Sequence, residues 1–250
     1  MTAILSTSSD IIYPDSDGQP MADNTQQFRW IVTIKENLEI LFADQADVFV
    51  AGDLLWYPVE GNNKLRLAPD TMVAFGRTKG DRGSYRQWLE GDIAPQVVFE
   101  ILSPGNRKGE MQNKFEFYEK YGVEEYYIYD PDNLKLEGYC RQTNELVPIA
   151  EMNGWVSPHL KIRFVLSETD LEVYQPDGRK FLTPVELDQR AKLLEQQLEQ
   201  EKQRAMTAEQ RAEQEKQRAM TAEEKAEQEK QRADRLAARL RQMGLDPDDF

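Results

Sequence analysis

The stretch QVVFEILSPGN, residues 96–106, is a nearly unbroken apolar run that ends in a turn-forming Ser-Pro-Gly-Asn sequence. An apolar run of this length predicts a strand that is buried on both faces of a sheet. Glu100 is the only charged residue before the turn, and a carboxylate buried without a partner is costly. We therefore expect Glu100 to lie at the opening of a site rather than deep in the core.

A second carboxylate, Asp70, follows Pro69 in another apolar, β-rich segment. Mg²⁺ takes oxygen ligands, usually one or two carboxylates, and completes its shell with water and substrate phosphate. Asp70 and Glu100 are therefore predicted to bind one Mg²⁺ or Mn²⁺ ion in a phosphodiester-cleaving site. The structural alternatives are a β-turn cap for Asp70 and, for Glu100, a buried carboxylate paired with a lysine or arginine.

Strand, helix and strand follow one another after residue 96. Residues 110–121 have a helical pattern that ends at Gly122, and residues 125–130, EYYIYD, form an aromatic strand with a hairpin return at 135–141. This order implies a crossover connection. The fold class is therefore predicted to be α/β, with a mixed sheet flanked by helices.

The remaining elements of the globular part are predicted from their periodicity and turn residues. Residues 28–42 have apolar side chains at helical spacing and should form a helix that covers the sheet. Strands are expected at residues 48–57 and 64–75, and a last small hairpin at residues 171–174 and 180–182.

The composition changes near Thr183-Pro184, where aromatic and β-branched residues give way to Ala, Glu, Gln, Lys and Arg. We therefore divide the chain into a loosely ordered lead (1–24), a globular domain (25–183), a long helix (184–243) and an acidic tail (244–250).

The long helix contains a 14-residue repeat, in which residues 199–208 recur as residues 213–222. With Leu187 at heptad position d, the seam consists mainly of Ala and Leu, interrupted by Glu201, Glu215 and Glu229. We expect this seam to mediate homo-oligomerisation as a coiled coil. A solitary, charge-laced surface helix is the alternative.

The composition excludes several classes of site. One cysteine, Cys140, and one histidine, His159, cannot build a zinc site, a disulfide framework or a multi-histidine centre. His159 lies in a turn-like stretch without a nucleophile elbow, and we expect it to be a solvent-facing loop residue. No long apolar span suggests membrane insertion, so a cytoplasmic location is expected.

The formal net charge of the chain is −14. Residues 184–243 contain 13 basic and 13 acidic residues, and three aspartates follow, which leaves −11 for residues 1–183. An acidic domain argues against strong nonspecific DNA binding, although not against a metal-bridged contact with a locally basic rim. The basic residues that lie near the candidate site in sequence are Lys79, Arg82, Arg86, Arg107, Lys108 and Lys114.

Several of these features, in this order, resemble the Uma-type putative restriction endonucleases. They are Pro69-Asp70, Glu100-Ile101-Leu102-Ser103-Pro104, Lys114, Tyr118, Gly122-Val123-Glu124-Glu125-Tyr126 and Asp130-Pro131. That family belongs to the restriction-endonuclease-like superfamily, which is named for its PD-(D/E)-x-K signature, and the resemblance covers roughly residues 25–180. It implies a restriction-endonuclease-like core, a Mg²⁺-dependent site and phosphodiester hydrolysis.

On this resemblance, Asp70 matches the first acidic position of the signature and Glu100 the second. Leu102 stands where the signature has lysine, and leucine can neither activate water nor neutralise charge on phosphorus. Lys114 is the best substitute, because it belongs to the helix after the Glu100 strand; the alternative is a solvated helix residue. The family's N-terminal acidic segment has its nearest counterpart in residues 15–19, so a third site carboxylate is in doubt.

Two functions are compatible with these residues. The first is a Mg²⁺-dependent DNA endonuclease with Asp70, Glu100 and Lys114 as catalytic residues. The second is a non-catalytic binding or assembly module that keeps the nuclease fold and presents it on a coiled-coil stalk. The pair of acidic residues favours the first, whereas Leu102 and the acidic domain favour the second.

Overall fold

The computed structural model describes residues 11–105 and 108–243. Arg107, the first ten residues of the predicted lead and the predicted acidic tail (244–250) lie outside the described residues. The chain divides into two compact units, Met1–Leu187 and Asp188–Phe250. No helix among the described residues is both long and apolar enough to span a membrane.

The described elements are three α-helices, one 3₁₀ turn and ten strands. The helices are α1 (Thr25–Leu41), α2 (Lys108–Lys120) and α3 (Pro184–Gln242), and one 3₁₀ turn covers Gln87–Glu90. The strands are β1 (Val48–Ala51), β2 (Trp56–Tyr57), β3 (Thr71–Phe75), β4 (Tyr85–Arg86), β5 (Val97–Ile101), β6 (Glu125–Asp130), β7 (Lys135–Gln142), β8 (Glu145–Pro148), β9 (Arg163–Leu166) and β10 (Leu171–Tyr174).

Six of these strands form the central sheet, in the order β1-β3-β5-β6-β7-β8. β5 and β6 are parallel and are joined by α2, and the other neighbours in this sheet are antiparallel. A parallel pair needs a crossover connection, and the helix after the Glu100 strand supplies it. The predicted α/β class with a mixed sheet and a long C-terminal helix is confirmed.

The two faces of the sheet are covered by different elements. Phe99 and Ile101 of β5 pack in a core cluster with the buried side of α1, whereas Val98 packs in a second cluster with Phe117 and Tyr118 of α2. Successive strand residues point to opposite faces, so Glu100 shares the α2 face with Val98. The helix that follows β5 therefore lies above Glu100.

The first helix is fixed at its N-terminus by side-chain caps. Asn24 accepts hydrogen bonds from the backbone N–H groups of Gln26 and Gln27 through its Oδ1 atom, which satisfies donors that have no partner within the helix. Gln27 reaches back to accept from the N–H of Asp23. The N-terminus of α1, which borders the candidate site, is thus stabilised by the side chains of Asn24 and Gln27.

Three sequence predictions about strands need correction. The strand expected at 48–57 is broken at Gly52-Asp53, because Asp53 has a φ of 49°, in the left-handed region. Of the strand expected at 64–75, only residues 71–75 join the central sheet. The last hairpin pairs β10 with β9, while the segment near Lys180 makes only an isolated bridge to Tyr174.

The C-terminal helix is continuous over 59 residues. It begins with a capping box, in which Thr183 Oγ1 accepts from the Glu186 N–H and a Glu186 carboxylate oxygen accepts from the Thr183 N–H. Pro184 occupies the first helical position, where its missing N–H costs nothing. The helix therefore starts abruptly at the boundary seen in the composition.

Candidate active site

Asp70 and Glu100 are cross-strand neighbours on one face of the sheet. β3 and β5 pair antiparallel with Thr71 opposite Phe99 and Met72 opposite Val98, and the next step of this register places Asp70 opposite Glu100. Side chains of directly opposed residues point to the same face. The two predicted metal-binding carboxylates are thus brought together beneath α2.

Glu100 is buried, with 2% of its surface exposed. Its two carboxylate oxygens are held by α2: the Lys114 Nζ atom lies 2.8 Å from Oε2, and the Tyr118 hydroxyl donates to Oε1 at 2.5 Å. The expectation that Glu100 lies at the opening of the site is wrong. The buried charge is tolerated because an ammonium and a hydroxyl compensate it.

Asp70 is the carboxylate nearer to solvent, with 9% of its surface exposed. Its Oδ2 atom accepts a hydrogen bond of 2.6 Å from the Ile101 backbone N–H. Burial, followed by the negative charge of Glu100, raises the pKa of Asp70 well above its usual value, and the Ile101 N–H and Lys114 only partly oppose this shift. The ionised form of Asp70 is therefore disfavoured in this site as it stands.

Lys114 occupies the position that the sequence assigns to it, with its ammonium group on Glu100. Burial lowers the pKa of Lys114, but the neighbouring carboxylates, Glu100 first and then Asp70 and Glu110, together outweigh it, and the net pKa lies above the usual lysine value. Lys114 is therefore charged at neutral pH, and a charged ammonium cannot take a proton from water. It can stabilise negative charge.

Leu102, in the place of the signature lysine, lines a different cleft of about 350 Å³ that also contains Met111 and Phe115. It lies two residues beyond Glu100 on the strand axis, so that both residues share a face. The ammonium is supplied by the helix above the strand rather than by the strand itself.

A cleft of about 760 Å³ opens beside Asp70 and Lys114. Its charged lining residues are Asp17, Asp23, Asp53, Asp70, Glu110, Lys64, Arg66 and Lys114. Glu100 is not among the lining residues and lies behind them. The acidic residues outnumber the basic ones, so the cleft attracts cations more readily than it attracts phosphate.

The basic residues expected near the site are mostly engaged elsewhere. Lys79 pairs with Glu39, Arg82 pairs with Glu90 and lies over the Phe49 ring, and Arg86 lies 5.2 Å from the Tyr13 ring centroid. Lys64 and Arg66, which the sequence analysis did not single out, line the cleft instead. Apart from Lys114, the cations that line the cleft therefore come from the segment between β2 and β3.

Asp53 is a cleft residue that the sequence analysis missed. Its N–H donates to the Pro69 carbonyl at 3.1 Å, which fixes it beside Asp70. Burial, followed by the charge of Asp17, raises the pKa of Asp53. The signal in the sequence was an Asp directly after a Gly at the end of an apolar strand, where left-handed backbone is tolerated by aspartate.

Gln27 of α1 was also missed. Its side-chain Nε2 donates to the Ile101 carbonyl at 2.8 Å, and the side chain is buried. The backbone N–H of the same Ile101 is held by Asp70. Both polar groups at the end of β5 are thus fixed from outside the strand, which keeps the position next to Glu100 rigid.

The described residues contain no group of three or more His, Cys, Asp or Glu side chains placed to hold a metal ion together. Asp70 and Glu100 supply two carboxylates, the number that a Mg²⁺ site commonly uses. Asp53, Asp70 and Glu100 bring three carboxyl groups near Lys114, and burial, then the charge of Glu100, raises the pKa of Asp70. A divalent cation would favour the ionised forms of these carboxyl groups, so the set of donors fits such an ion.

Glu125 and Asp130 have structural surroundings. The buried Glu125 carboxylate accepts hydrogen bonds from the Tyr127 and Ser157 hydroxyls and from the His159 N–H. The Asp130 carboxylate accepts from the backbone of the following turn. The His159 ring is half-buried and lies 2.6 Å from Glu124, so it is less exposed than expected.

Comparison with known protein families gives one match. A family model named Uma2, with the description "Putative restriction endonuclease", matches residues 11–199. The chain belongs to the Uma2 family. No curated protein matches it.

Among solved structures, the chain is similar to a protein described as a putative nuclease belonging to DUF820 from Anabaena variabilis. The sequence identity is 17% and the TM-score is 0.41, and the similarity covers 54% of this Uma2 chain and 72% of the other protein.

Proposed function

We propose that the protein is a Mg²⁺-dependent endonuclease that hydrolyses phosphodiester bonds in DNA. One observation carries the proposal: Asp70 and Glu100 face each other across two strands, beside a cleft, with Lys114 held on the pair. Membership of a family described as putative restriction endonucleases supports it. A DNA substrate favours a cytoplasmic location.

Asp70 and Glu100 would hold the cation, with Mn²⁺ as the alternative to Mg²⁺. When bound, such an ion lowers the pKa of a coordinated water and stabilises charge on a phosphoryl oxygen. Asp70 contributes the carboxylate that lines the cleft, and Glu100 contributes from behind it. Asp53 is placed to neutralise further positive charge at the same edge of the cleft.

Lys114 stabilises the negative charge that develops on the phosphoryl group during attack. This role follows from its raised pKa, because an ammonium that remains charged acts as an electrostatic group and not as a general base. Lys64 and Arg66, which line the same cleft, contact the flanking phosphates. Because so few cations line the cleft, binding to DNA should depend strongly on the bound metal ion.

The test is plasmid cleavage by the full chain with Mg²⁺ or Mn²⁺ and with EDTA. We expect cleavage by the wild type that Glu100→Ala and Asp70→Asn each reduce at least a hundredfold. Glu116→Gln is the matched control, since Glu116 is an exposed carboxylate on α2 that bonds only Gln112 among the described residues. Cleavage that persists in Asp70→Asn at the wild-type rate would refute the assignment.

A second function is favoured by a different observation. Both oxygens of Glu100 already have donors, which is what a buried carboxylate with a purely structural role would also show. The corresponding function is a non-catalytic DNA-binding or assembly module. It predicts DNA binding that is unchanged by EDTA and no cleavage with either metal ion, whereas the endonuclease predicts metal-dependent cleavage.

A further inference from the structure

One face of α3 is apolar and exposed. With Leu187 at heptad position d, every a position from residue 191 to residue 240 is alanine or leucine. Leu194, Leu198 and Leu236 on the a and d positions keep 54–56% of their surface exposed. We call the a and d residues the α3 seam. A row of this kind, repeated over eight heptads, is typical of a helix that packs against another helix.

The seam is bordered on one side by a row of cations. Every g position from residue 190 to residue 239 except Gln197 is basic: Arg190, Arg204, Arg211, Arg218, Lys225, Arg232 and Arg239. The e positions on the other side are mixed in sign, and three of them, Glu195, Glu209 and Glu223, follow a g-position arginine by five residues. The two borders therefore differ in charge.

This difference selects the orientation of a partner helix. In an antiparallel pair of identical helices, g positions face g positions, so the basic row would meet itself along the whole contact. In a parallel pair, g faces the e position five residues later in the other helix. Arg190, Arg204 and Arg218 then each meet a glutamate of the second copy, while Arg211 and Lys225 meet Lys216 and Lys230. The parallel arrangement therefore replaces a wholly repulsive border with one in which attractive contacts outnumber repulsive ones.

The glutamates within the seam are matched in the same arrangement. Glu201, Glu215 and Glu229 at d are each followed directly by a lysine at e, namely Lys202, Lys216 and Lys230. In a parallel coiled coil, a d side chain packs beside the e residue of the partner in the same heptad. Each seam glutamate therefore lies beside a lysine of the second copy, which offsets the repulsion between the two glutamates.

The hydrogen bonds within the described helix are consistent with the same pairing. On the outer face, Glu199, Glu213 and Glu227 accept hydrogen bonds from the glutamines four residues later. Within the described residues, none of the seam glutamates and none of the g-position cations makes an ion pair. The charges beside the seam are therefore free, within the described residues, to pair with a second helix.

We propose that α3 forms a parallel, in-register, two-stranded coiled coil with a second copy of this chain. A shift of one heptad would move Arg204 and Arg218 from glutamates to lysines, and would move Arg211 from Lys216 to Glu209 or Glu223, so the contacts between g and e positions oppose it on balance. A shift of two heptads keeps the charge pattern but removes Leu194 and Leu198 at one end, and Leu236 at the other, from their counterparts. The ends therefore fix the register that the repeat leaves open.

A charge exchange in the full chain tests the pairing. Arg204→Glu with Arg218→Glu should weaken the dimer at least roughly tenfold, measured by sedimentation across a concentration series, because glutamate would face glutamate. Adding Glu209→Arg and Glu223→Arg should restore the wild-type affinity. Residues five apart do not contact each other within one helix, so restoration reports contact between helices. Failure of the exchange to restore affinity would overturn the proposal.

A cross-linking test reports the orientation independently of affinity. In the variant Ala233→Cys, a parallel in-register pair brings the two new thiols together, whereas an antiparallel pair separates them by about 60 Å at 1.5 Å per residue. A short bis-maleimide should give a covalent dimer well above the yield of the wild type, which carries only Cys140. A monomer at all concentrations, or cross-linking at the wild-type level, would overturn the proposal.

Discussion

Replacing Asp70 by asparagine should stabilise the metal-free protein while removing its response to Mg²⁺. The Asp70 carboxylate is 9% exposed and its pKa is raised by burial and by Glu100, so its ionised form destabilises the fold. The asparagine Oδ1 atom can still accept the Ile101 N–H, which preserves the local geometry. A structural turn cap, in contrast, would gain nothing from this change.

The expected gain at pH 7 in EDTA is on the order of 1–3 kcal/mol, the scale for relieving one buried charge beside another. At 2–4 °C per kcal/mol for a domain of this size, the midpoint of thermal unfolding rises by roughly 2–12 °C. The assay is calorimetry in EDTA and in Mg²⁺. Mg²⁺ should raise the midpoint of the wild type and leave that of Asp70→Asn unchanged.

The pH dependence of the stability difference between Asp70→Asn and the wild type can refute this reasoning. The pKa of Asp70 is higher in the folded protein than in the unfolded chain, where it is near 3.9. The neutral carboxyl therefore contributes stability that is fully present below the unfolded pKa. This stability is lost as pH rises through the folded pKa. The gain in Asp70→Asn should therefore grow with pH and vanish in acid. A variant that is less stable than the wild type at every pH would show that the buried-charge argument is wrong.

Three further outcomes are expected. Lys114→Met should cost about 2–4 kcal/mol of stability at pH 7, because it leaves Glu100 buried beside Asp70. Calorimetry should show this loss shrinking above the usual lysine pKa, because the unfolded wild type loses its Lys114 proton there while the folded protein must release its own at higher pH. Tyr118→Phe should cost about 1–2 kcal/mol by denaturant unfolding and weaken Mg²⁺ binding in titration calorimetry. Gln27→Leu should cost about 1–3 kcal/mol in the same unfolding assay, since the Ile101 carbonyl loses its donor.

The elements that the sequence predicted well carry local signals. The strand at 97–101 is marked by its apolar run, and the following helix is marked by its periodicity and by Gly122, which has a φ of 95°. The break at Asp53 was missed because left-handed backbone at a residue other than glycine has no firm sequence signature. The pairing of β9 with β10, which form a separate two-stranded sheet, was missed because the sequence analysis paired residues 171–174 with residues 180–182 and did not recognise the short strand at 163–166.

The residues of the candidate site also divide into those with a local signal in the sequence and those without one. A charge in an apolar strand was enough to single out Glu100, and a proline-aspartate pair was enough for Asp70. That Glu100 would be buried could not be predicted, because the burial depends on Lys114 and Tyr118 reaching it from α2. Asp53 and Gln27 join the site from distant segments of the chain, and neither has a pattern that indicates a function.

The contacts of Lys114 and Tyr118 with Glu100 restrict where residues can be inserted or deleted in α2. Lys114 and Tyr118 are one helical turn apart, and each contacts a different oxygen of the same carboxylate. One residue inserted between them would rotate one of the two side chains by about 100° away from Glu100, so both contacts could not survive together. We therefore expect related chains to gain and lose residues in the connection before α2, and to keep the spacing within the helix constant.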